Sequence, residues 1–227
     1  ANNSRQFLAS YQSEDLKING FLTVPLGEAP AGGYPAILMV HGYFPPKQYS
    51  PITNYQQYQG RLARAGFVTF KPDLRGHADS EGEPTSAHFS EKYVIDTLNA
   101  LSALQKHEAV NPNQMGYWGH SNGGEIGLRV LVITEEIKAA ILWAGVVGSV
   151  EDLLETYDDQ MNFITPSEVA LVQEHGLPSE NPDFWNPLDP YTYLEDITAA
   201  VQLQHSKADE SVPEELSIHL KNELEDL

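Results

Sequence analysis

A serine held between two glycines is the part of this chain whose residue types could do covalent chemistry. Residues 119–123 read GHSNG and match the pattern G-x-S-x-G, in which a tight strand-to-helix turn exposes a serine hydroxyl. The flanking sequence fits, because 114–118 (QMGYW) predicts a buried strand and 125–132 (EIGLRVLV) predicts a helix. The pattern therefore predicts a nucleophilic Ser121. The alternative interpretation is a glycine-rich turn whose serine only caps a helix.

The composition limits the kinds of protein that this chain can be. Its 227 residues suit one large α/β domain, and a hydrophobic content of 41% is enough for a sizeable core. The net charge is −19, from 13 basic and 32 acidic residues. Phosphate backbones would be repelled, so nucleic acid is excluded as an expected partner. No apolar run is long enough to predict a membrane span.

Cysteine usage and the first residues bear on the compartment. There are no cysteines, which excludes disulfides, thiolate metal sites and a cysteine nucleophile. The chain begins at Ala1 without an initiator methionine. That start suits either a mature end left after signal-peptide removal or an artificial boundary, so the compartment stays open between secreted or periplasmic and cytoplasmic.

Hydrophobic patterning predicts an alternation of strands and helices. Strands are predicted over 7–11, 16–24, 36–40, 67–70, 114–118, 139–144 and 201–204, and helices over 55–65, 93–104, 125–132 and 213–227. Such alternation indicates a mainly parallel sheet with helices on both faces. Residues 1–227 are predicted to form a single domain. The segment 148–196 breaks the rhythm and is interpreted as a short cap insertion over the carboxyl edge of the sheet, the alternative being a surface excursion of two helices.

Four motifs carry a resemblance to a known superfamily. They are 40–43 (VHGY), 71–82 (KPDLRGHADSEG), 118–124 (WGHSNGG) and 205–213 (HSKADESVP). With them, the chain resembles the α/β hydrolases from Pro35 onward, and within these the prolyl-oligopeptidase and acyl-peptidase-like branch and related bacterial esterases. The resemblance implies the α/β-hydrolase fold with a short cap.

The resemblance also implies the members of a catalytic site. Ser121 is the implied nucleophile, the backbone N–H groups of Asn122 and Tyr43 form the oxyanion hole, and Asp209 orients the base. A serine hydroxyl needs a base to take its proton, and each oxyanion donor is typically worth about 2.7–4 kcal/mol. For Asp209, a plain loop acid is the alternative. No cofactor and no metal are expected.

Nearby polar residues are given structural roles. His41 is expected to shape the oxyanion loop rather than act as the base. Asp73, Arg75 and Asp79 are expected to hold their tight loop by hydrogen bonds. The acids of 151–159 are interpreted as a solvated helix face rather than a metal site.

The sequence does not provide a suitable histidine for the role of catalytic base. In this fold the triad order is Ser, then Asp, then His, so the base should follow Asp209. The helix predicted from Pro213 uses nearly all of the remaining chain, roughly 22 Å at 1.5 Å per residue. The only histidine after Asp209 is His219, in the middle of that helix. The last strand and the catalytic histidine are therefore expected to be missing from these residues, with truncation favoured over natural loss.

Two functions remain open from the sequence. The first is a serine hydrolase that cleaves a carboxylic ester or a peptide-like amide through an acyl-enzyme on Ser121, acting on a small-molecule ester or a short peptide. The esterase version is favoured, because nothing predicts the propeller domain that restricts substrates in the large peptidases. The second is a catalytically defective binding protein with the hydrolase fold. The sequence does not predict the oligomeric state.

Overall fold

A seven-stranded sheet organises the protein. The computed structural model describes residues 4–86, 88–158 and 166–227. The strands are β1 (Ser4–Ser13), β2 (Leu16–Pro25), β3 (Tyr34–Val40), β4 (Val68–Pro72), β5 (Val110–His120), β6 (Ile137–Trp143) and β7 (Ala200–Gln204). Ala1, from which the sequence analysis argued about the compartment, lies outside the described residues.

The order of the strands is β1-β2-β4-β3-β5-β6-β7. The hairpin of β1 and β2 pairs antiparallel to β4, whereas β4, β3, β5, β6 and β7 run parallel to one another. The predicted α/β architecture with a mainly parallel sheet is thereby confirmed. Parallel strands bring their carboxyl ends to one edge, so the loops that follow β3, β5, β6 and β7 meet there.

Seven α-helices lie in the described ranges. They are α1 (Gln56–Arg64), α2 (Lys92–Gln105), α3 (Asn122–Leu131), α4 (Val150–Asp158), α5 (Pro166–His175), α6 (Pro182–Trp185) and α7 (Glu214–Glu225), and short 3₁₀ segments follow α6 at Asn186–Leu188 and Pro190–Asp196. Within those ranges, none of the helices combines the length and the apolar content that crossing a bilayer requires.

Helices cover both faces of the sheet. On α1, Gln59 donates to the Thr69 hydroxyl at 3.3 Å, so α1 lies on the face of β4 to which Thr69 points. Val68 and Phe70 point to the opposite face, because successive strand residues alternate. There they share the main core with Val94 of α2. The sheet is thus a central layer with α1 on one side and α2 on the other.

The predicted cap segment 148–196 contains its own small core. Trp185 is buried against Val150 at the start of α4, and its ring meets that of Phe89 at 5.5 Å. Residues 159–165 lie outside the described residues. The assignment of this segment as a cap stays a prediction.

A buried ion pair ties three elements of the fold together. The Arg75 guanidinium donates to Asp96 of α2 from Nε at 3.0 Å and from Nη2 at 2.7 Å. Asp96 also accepts from Arg75 N at 2.9 Å and from the Ser13 hydroxyl at 2.6 Å. Arg75 Nη2 reaches Glu14 at 2.8 Å as well. The loop after β4, the hairpin of β1 and β2, and helix α2 therefore share one network.

Candidate active site

Ser121 stands at the turn between β5 and α3. Its backbone has φ 54° and ψ −119°, a conformation that a residue with a side chain adopts only under strain. Ser121 N donates to Trp143 O at 3.0 Å, and Ser121 O accepts from Gly124 N at 2.7 Å and from Val146 N at 3.2 Å. The serine is only partly buried. The turn is thus held by backbone bonds on both sides of a half-exposed hydroxyl group.

Glycines beside Ser121 allow this turn to pack against the neighbouring strands. A Cβ on Gly123 would overlap the Val40 carbonyl group at the end of β3. A Cβ on Gly124 would lie 2.5 Å from the Cα of Gly145, after β6. Any side chain at these two positions would push the serine away from the sheet edge.

The loop after β3 lies directly against the serine. A Cβ placed on Gly42 would be 3.0 Å from Ser121 Cβ. The next amide, Tyr43 N, and the amide after the serine, Asn122 N, donate to no acceptor among the described residues. Tyr43 N follows the glycine that lies against Ser121, and Asn122 N follows the serine itself.

Tyr55 links this loop to the strand that carries the serine. Its hydroxyl accepts from Gly42 N at 3.1 Å and lies 2.8 Å from His120 Nδ1. The Tyr55 hydrogen is therefore available to His120, which assigns Nδ1 as the acceptor and the ring proton to Nε2. Burial lowers the pKa of His120 from its usual value, so the neutral ring suits this role. The G-x-S-x-G pattern gives no signal for Tyr55.

His41 braces the same loop from beneath. Its Nδ1 lies 2.7 Å from Gly42 O and its Nε2 lies 3.1 Å from Asp73 O, and the ring stacks on Tyr49 at 4.3 Å. Burial lowers its pKa to about 3. Both nitrogens face backbone carbonyls, so this ring supports the loop.

The carboxyl group of Asp73, buried next to His41, has fewer hydrogen bonds than the sequence predicts. Arg75 holds its loop by side-chain hydrogen bonds, but neither carboxylate oxygen of Asp73 accepts a well-formed one from the described residues. The Lys71 ammonium donates instead to the Tyr49 hydroxyl at 2.5 Å. Burial raises the pKa of Asp73 to about 6 and lowers that of Lys71 to about 8. Asp73 meets His41 through its backbone carbonyl, while its carboxyl group interacts with Tyr49 and with the Lys71 charge.

Asp73→Asn is expected to make stability fall more steeply between pH 6 and pH 3.8. Over that window the folded parent binds a proton on Asp73 before the unfolded chain does, so this carboxyl raises the free energy of unfolding as the pH falls. His41 acts oppositely, because the unfolded chain protonates it below pH 6.5 and the folded protein only near pH 3. The variant removes only the first effect, and the slopes should differ by up to about 1.4 kcal/mol per pH unit.

Urea unfolding of both proteins at intervals from neutral to acidic pH measures this difference. Glu28→Gln, at an exposed position, is the matched control and should follow the parent. Parallel curves for Asp73→Asn and the parent would contradict the raised pKa of Asp73.

Asp209 lies beyond the carboxyl end of β7, at the same sheet edge as Ser121. Its Oδ1 accepts from Ser211 N at 2.9 Å and from Val212 N at 3.0 Å, and its Oδ2 lies 3.9 Å from His205 Nε2. Partial burial opposes ionisation, but these hydrogen bonds and the nearby histidines hold the pKa of Asp209 below its usual value. The carboxylate is ionised and is not hydrogen-bonded to Ser121.

Two histidines near the end of the chain form hydrogen bonds with groups other than Ser121. His219 Nδ1 lies 2.7 Å from Asp152 Oδ2, and its Nε2 lies 3.5 Å from Glu223. His205, which the sequence analysis gave no role, lies 2.6 Å from the Ser217 hydroxyl and 2.9 Å from Val212 O, and so closes the loop that carries Asp209. Among the described residues, no imidazole forms hydrogen bonds with both Ser121 and Asp209.

Comparisons with known proteins identify related sequences and structures. A model of the prolyl oligopeptidase family matches residues 53–227. The uncharacterized peptidase YtmA of Bacillus subtilis (strain 168) is 26% identical over 224 residues, which cover 98% of this chain and 80% of that protein.

Solved structures share the fold. An acylaminoacyl peptidase from Pyrococcus horikoshii has a TM-score of 0.74 at 23% identity, over 99% of this chain but only 35% of its own. The Pyrococcus furiosus esterase Pf2001 has a TM-score of 0.70 at 18% identity, over 98% of this chain and 79% of its own. These likenesses confirm the predicted α/β-hydrolase fold. The chain spans about a third of the length of the first of these proteins.

Proposed function

Because the chain belongs to the prolyl oligopeptidase family, and is thus a serine hydrolase of the α/β-hydrolase fold, we propose that it cleaves a carboxylic ester or a peptide-like amide through an acyl-enzyme on Ser121. The observation that carries the proposal is the contact between the turn of Ser121 and the loop at Gly42. This contact supports the proposal because it joins the loop that carries Tyr43 to the strained turn of Ser121 and Asn122.

In the proposed reaction, Ser121 Oγ attacks the substrate carbonyl carbon while its hydroxyl proton passes to a general base, which returns the proton to the leaving alcohol or amine. That base is assigned to none of the described residues. The carbonyl oxygen becomes an oxyanion, which the N–H groups of Tyr43 and Asn122 stabilise. Asn122 N is also the first amide of α3, whose positive end favours the same negative charge. Collapse of the intermediate expels the alcohol or amine and leaves the acyl group on Ser121 until water releases it.

Asp209 is proposed as the acid of the triad. Its Oδ1 is occupied by two backbone N–H groups, whereas Oδ2 has only His205 at 3.9 Å, so Oδ2 is the oxygen that can accept from an imidazole. An ionised carboxylate in this role fixes the tautomer of the base and stabilises its charged form. No described histidine is assigned as that base.

Activated esters are the favoured substrates. An amine leaving group must be protonated by a general acid as it departs, while a p-nitrophenolate ion departs without one. The described residues supply no imidazole to donate that proton to a group on Ser121. Esters of acidic alcohols are therefore favoured, because their leaving groups depart without a proton donor.

The proposal is tested by the turnover of p-nitrophenyl acetate and alanine p-nitroanilide by Gly42→Ala. The new methyl group would press on Ser121 Cβ and His120 Nδ1, both at 3.0 Å, and move the oxyanion loop away. We expect ester turnover to fall by about tenfold or more, since small misplacements of reacting groups are costly. The parent should cleave the ester faster than the anilide.

Gly60→Ala in α1 is the matched control. Its methyl group meets only the flexible end of Arg64, at 3.7 Å, and should stabilise the helix by up to about 1 kcal/mol without lowering turnover. Equal turnover by the parent and Gly42→Ala, at rates no greater than buffer, would instead favour the non-catalytic binding protein.

A further inference from the structure

A cavity lies beside the carboxyl-terminal half of α3, away from the serine. Its volume is about 200 Å³, and its apolar wall includes Phe89, Val94, Val132 and Leu188. The polar residue on its α3 side is Arg129, eight positions after Ser121. Eight helical residues span about 12 Å, so the cavity is separate from the candidate active site.

Arg129 makes no ion pair or hydrogen bond to the described residues. Its Nε is buried without an acceptor. Its terminal nitrogens remain accessible, because neither of them is among the buried atoms that lack a partner. A guanidinium is a fixed fork of donors whose geometry matches a carboxylate, and only its buried Nε bears the cost of an unmade hydrogen bond.

The two acidic residues of the cavity are committed to other groups. Asp189 accepts from Tyr191 N at 2.9 Å and from Val150 N at 3.1 Å, one bond to each oxygen. Glu91 is exposed and pairs with Lys92 at 3.2 Å. Neither carboxylate forms an ion pair with Arg129, although the Arg129 charge acts on Asp189 and opposes the rise that burial causes in its pKa. The guanidinium therefore has a negative charge in its surroundings but no directly bonded partner among the described residues.

We propose that this cavity binds a small carboxylic acid with an apolar body. The carboxylate group pairs with the terminal nitrogens of Arg129, and the body contacts Phe89, Val132 and Leu188. The volume is below the about 300–1,000 Å³ of ordinary ligand pockets, which limits the ligand to the size of benzoate or a short fatty acid. The site does not depend on the reaction proposed for Ser121.

The test is benzoate binding, measured by titration calorimetry, with benzamide as the uncharged ligand of the same shape. The parent should bind benzoate at least about tenfold more tightly than benzamide, since bonds between charged groups are the stronger ones. Arg129→Met, which keeps the length of the side chain, should lose at least about tenfold in benzoate affinity, and Arg129→Lys should lose less.

A second variant protects the test against a folding defect. Val132→Phe fills the apolar part of the cavity and retains Arg129, and should weaken benzoate and benzamide alike. Far-UV circular dichroism and the melting temperature verify that each variant is folded. Unchanged benzoate affinity in folded Arg129→Met, or equal affinity of the parent for both ligands, would overturn the proposal, because binding would then reside at another site such as the oxyanion hole.

Discussion

Ser121→Ala should abolish covalent labelling of the protein by a fluorophosphonate. The probe phosphonylates a serine oxygen, and Ser121 lies on a strained turn directly before Asn122, whose N–H donates to no acceptor among the described residues. Intact-mass spectrometry after timed exposure measures the label directly. Because none of the described imidazoles forms hydrogen bonds with both Ser121 and Asp209, we expect slow labelling and weak turnover of p-nitrophenyl acetate, as in triads that have lost one member and retain only about 10³–10⁴-fold over water.

His219→Ala is the matched control for that experiment. Its ring nitrogens face Asp152 and Glu223, so its loss should leave labelling at the parent's rate. Rapid labelling that disappears in both variants would identify His219 as the base and contradict the contacts of α7. Labelling of Ser121→Ala at the parent's rate would end the assignment of the nucleophile.

Asp96→Ala should lower the free energy of unfolding by about 3–5 kcal/mol. The carboxylate is fully buried, and its removal leaves the Arg75 guanidinium buried with only the half-exposed Glu14 to pair with. The loss of the Ser13 hydroxyl bond adds to the cost. Urea unfolding at neutral pH measures the change.

Glu225→Ala offers a control of the same bond length. Lys221 and Glu225 also meet at 2.7 Å, but both side chains are more than half exposed. Such a surface pair is worth about 0–1 kcal/mol. If both variants lost the same small amount, burial would not govern the strength of the Arg75–Asp96 pair.

The periodic elements of the fold could be predicted from the sequence, and the deviations have local causes. Helix α3 begins at Asn122, three residues before the predicted start at 125. The prediction began later because Gly123 and Gly124 are poor helix formers. Both glycines are nevertheless required within the helix, since a side chain there would collide with the residues after β3 and β6. Strand β5 begins at Val110, four residues early. Pro112 and its asparagine neighbours predict a turn, but pairing of Val110 with Tyr34 overrides that local preference.

Some residues of the candidate site could likewise be predicted from the sequence, and others could not. Ser121 and the loop at Gly42 could be named because each follows a strand in a short motif. Tyr55 could not, since it acts across 65 residues of sequence on His120 and has no characteristic spacing. Asp73 is expected to hold its tight loop by hydrogen bonds, because acids in such loops usually form them. Burial beneath His41 and Tyr49 decides its environment instead, and only the three-dimensional structure contains that information.

The backbone bonds of Ser121 have a consequence for local unfolding. Its N–H is bonded to Trp143 at the end of β6, and its carbonyl holds Gly124 and Val146. Such a turn can open only when the centre of the sheet opens, unlike most functional loops, which belong to the least stable parts of a protein. The position of the Ser121 hydroxyl group is therefore as stable against local unfolding as the central strands are. Changes that loosen surface segments would leave its placement intact.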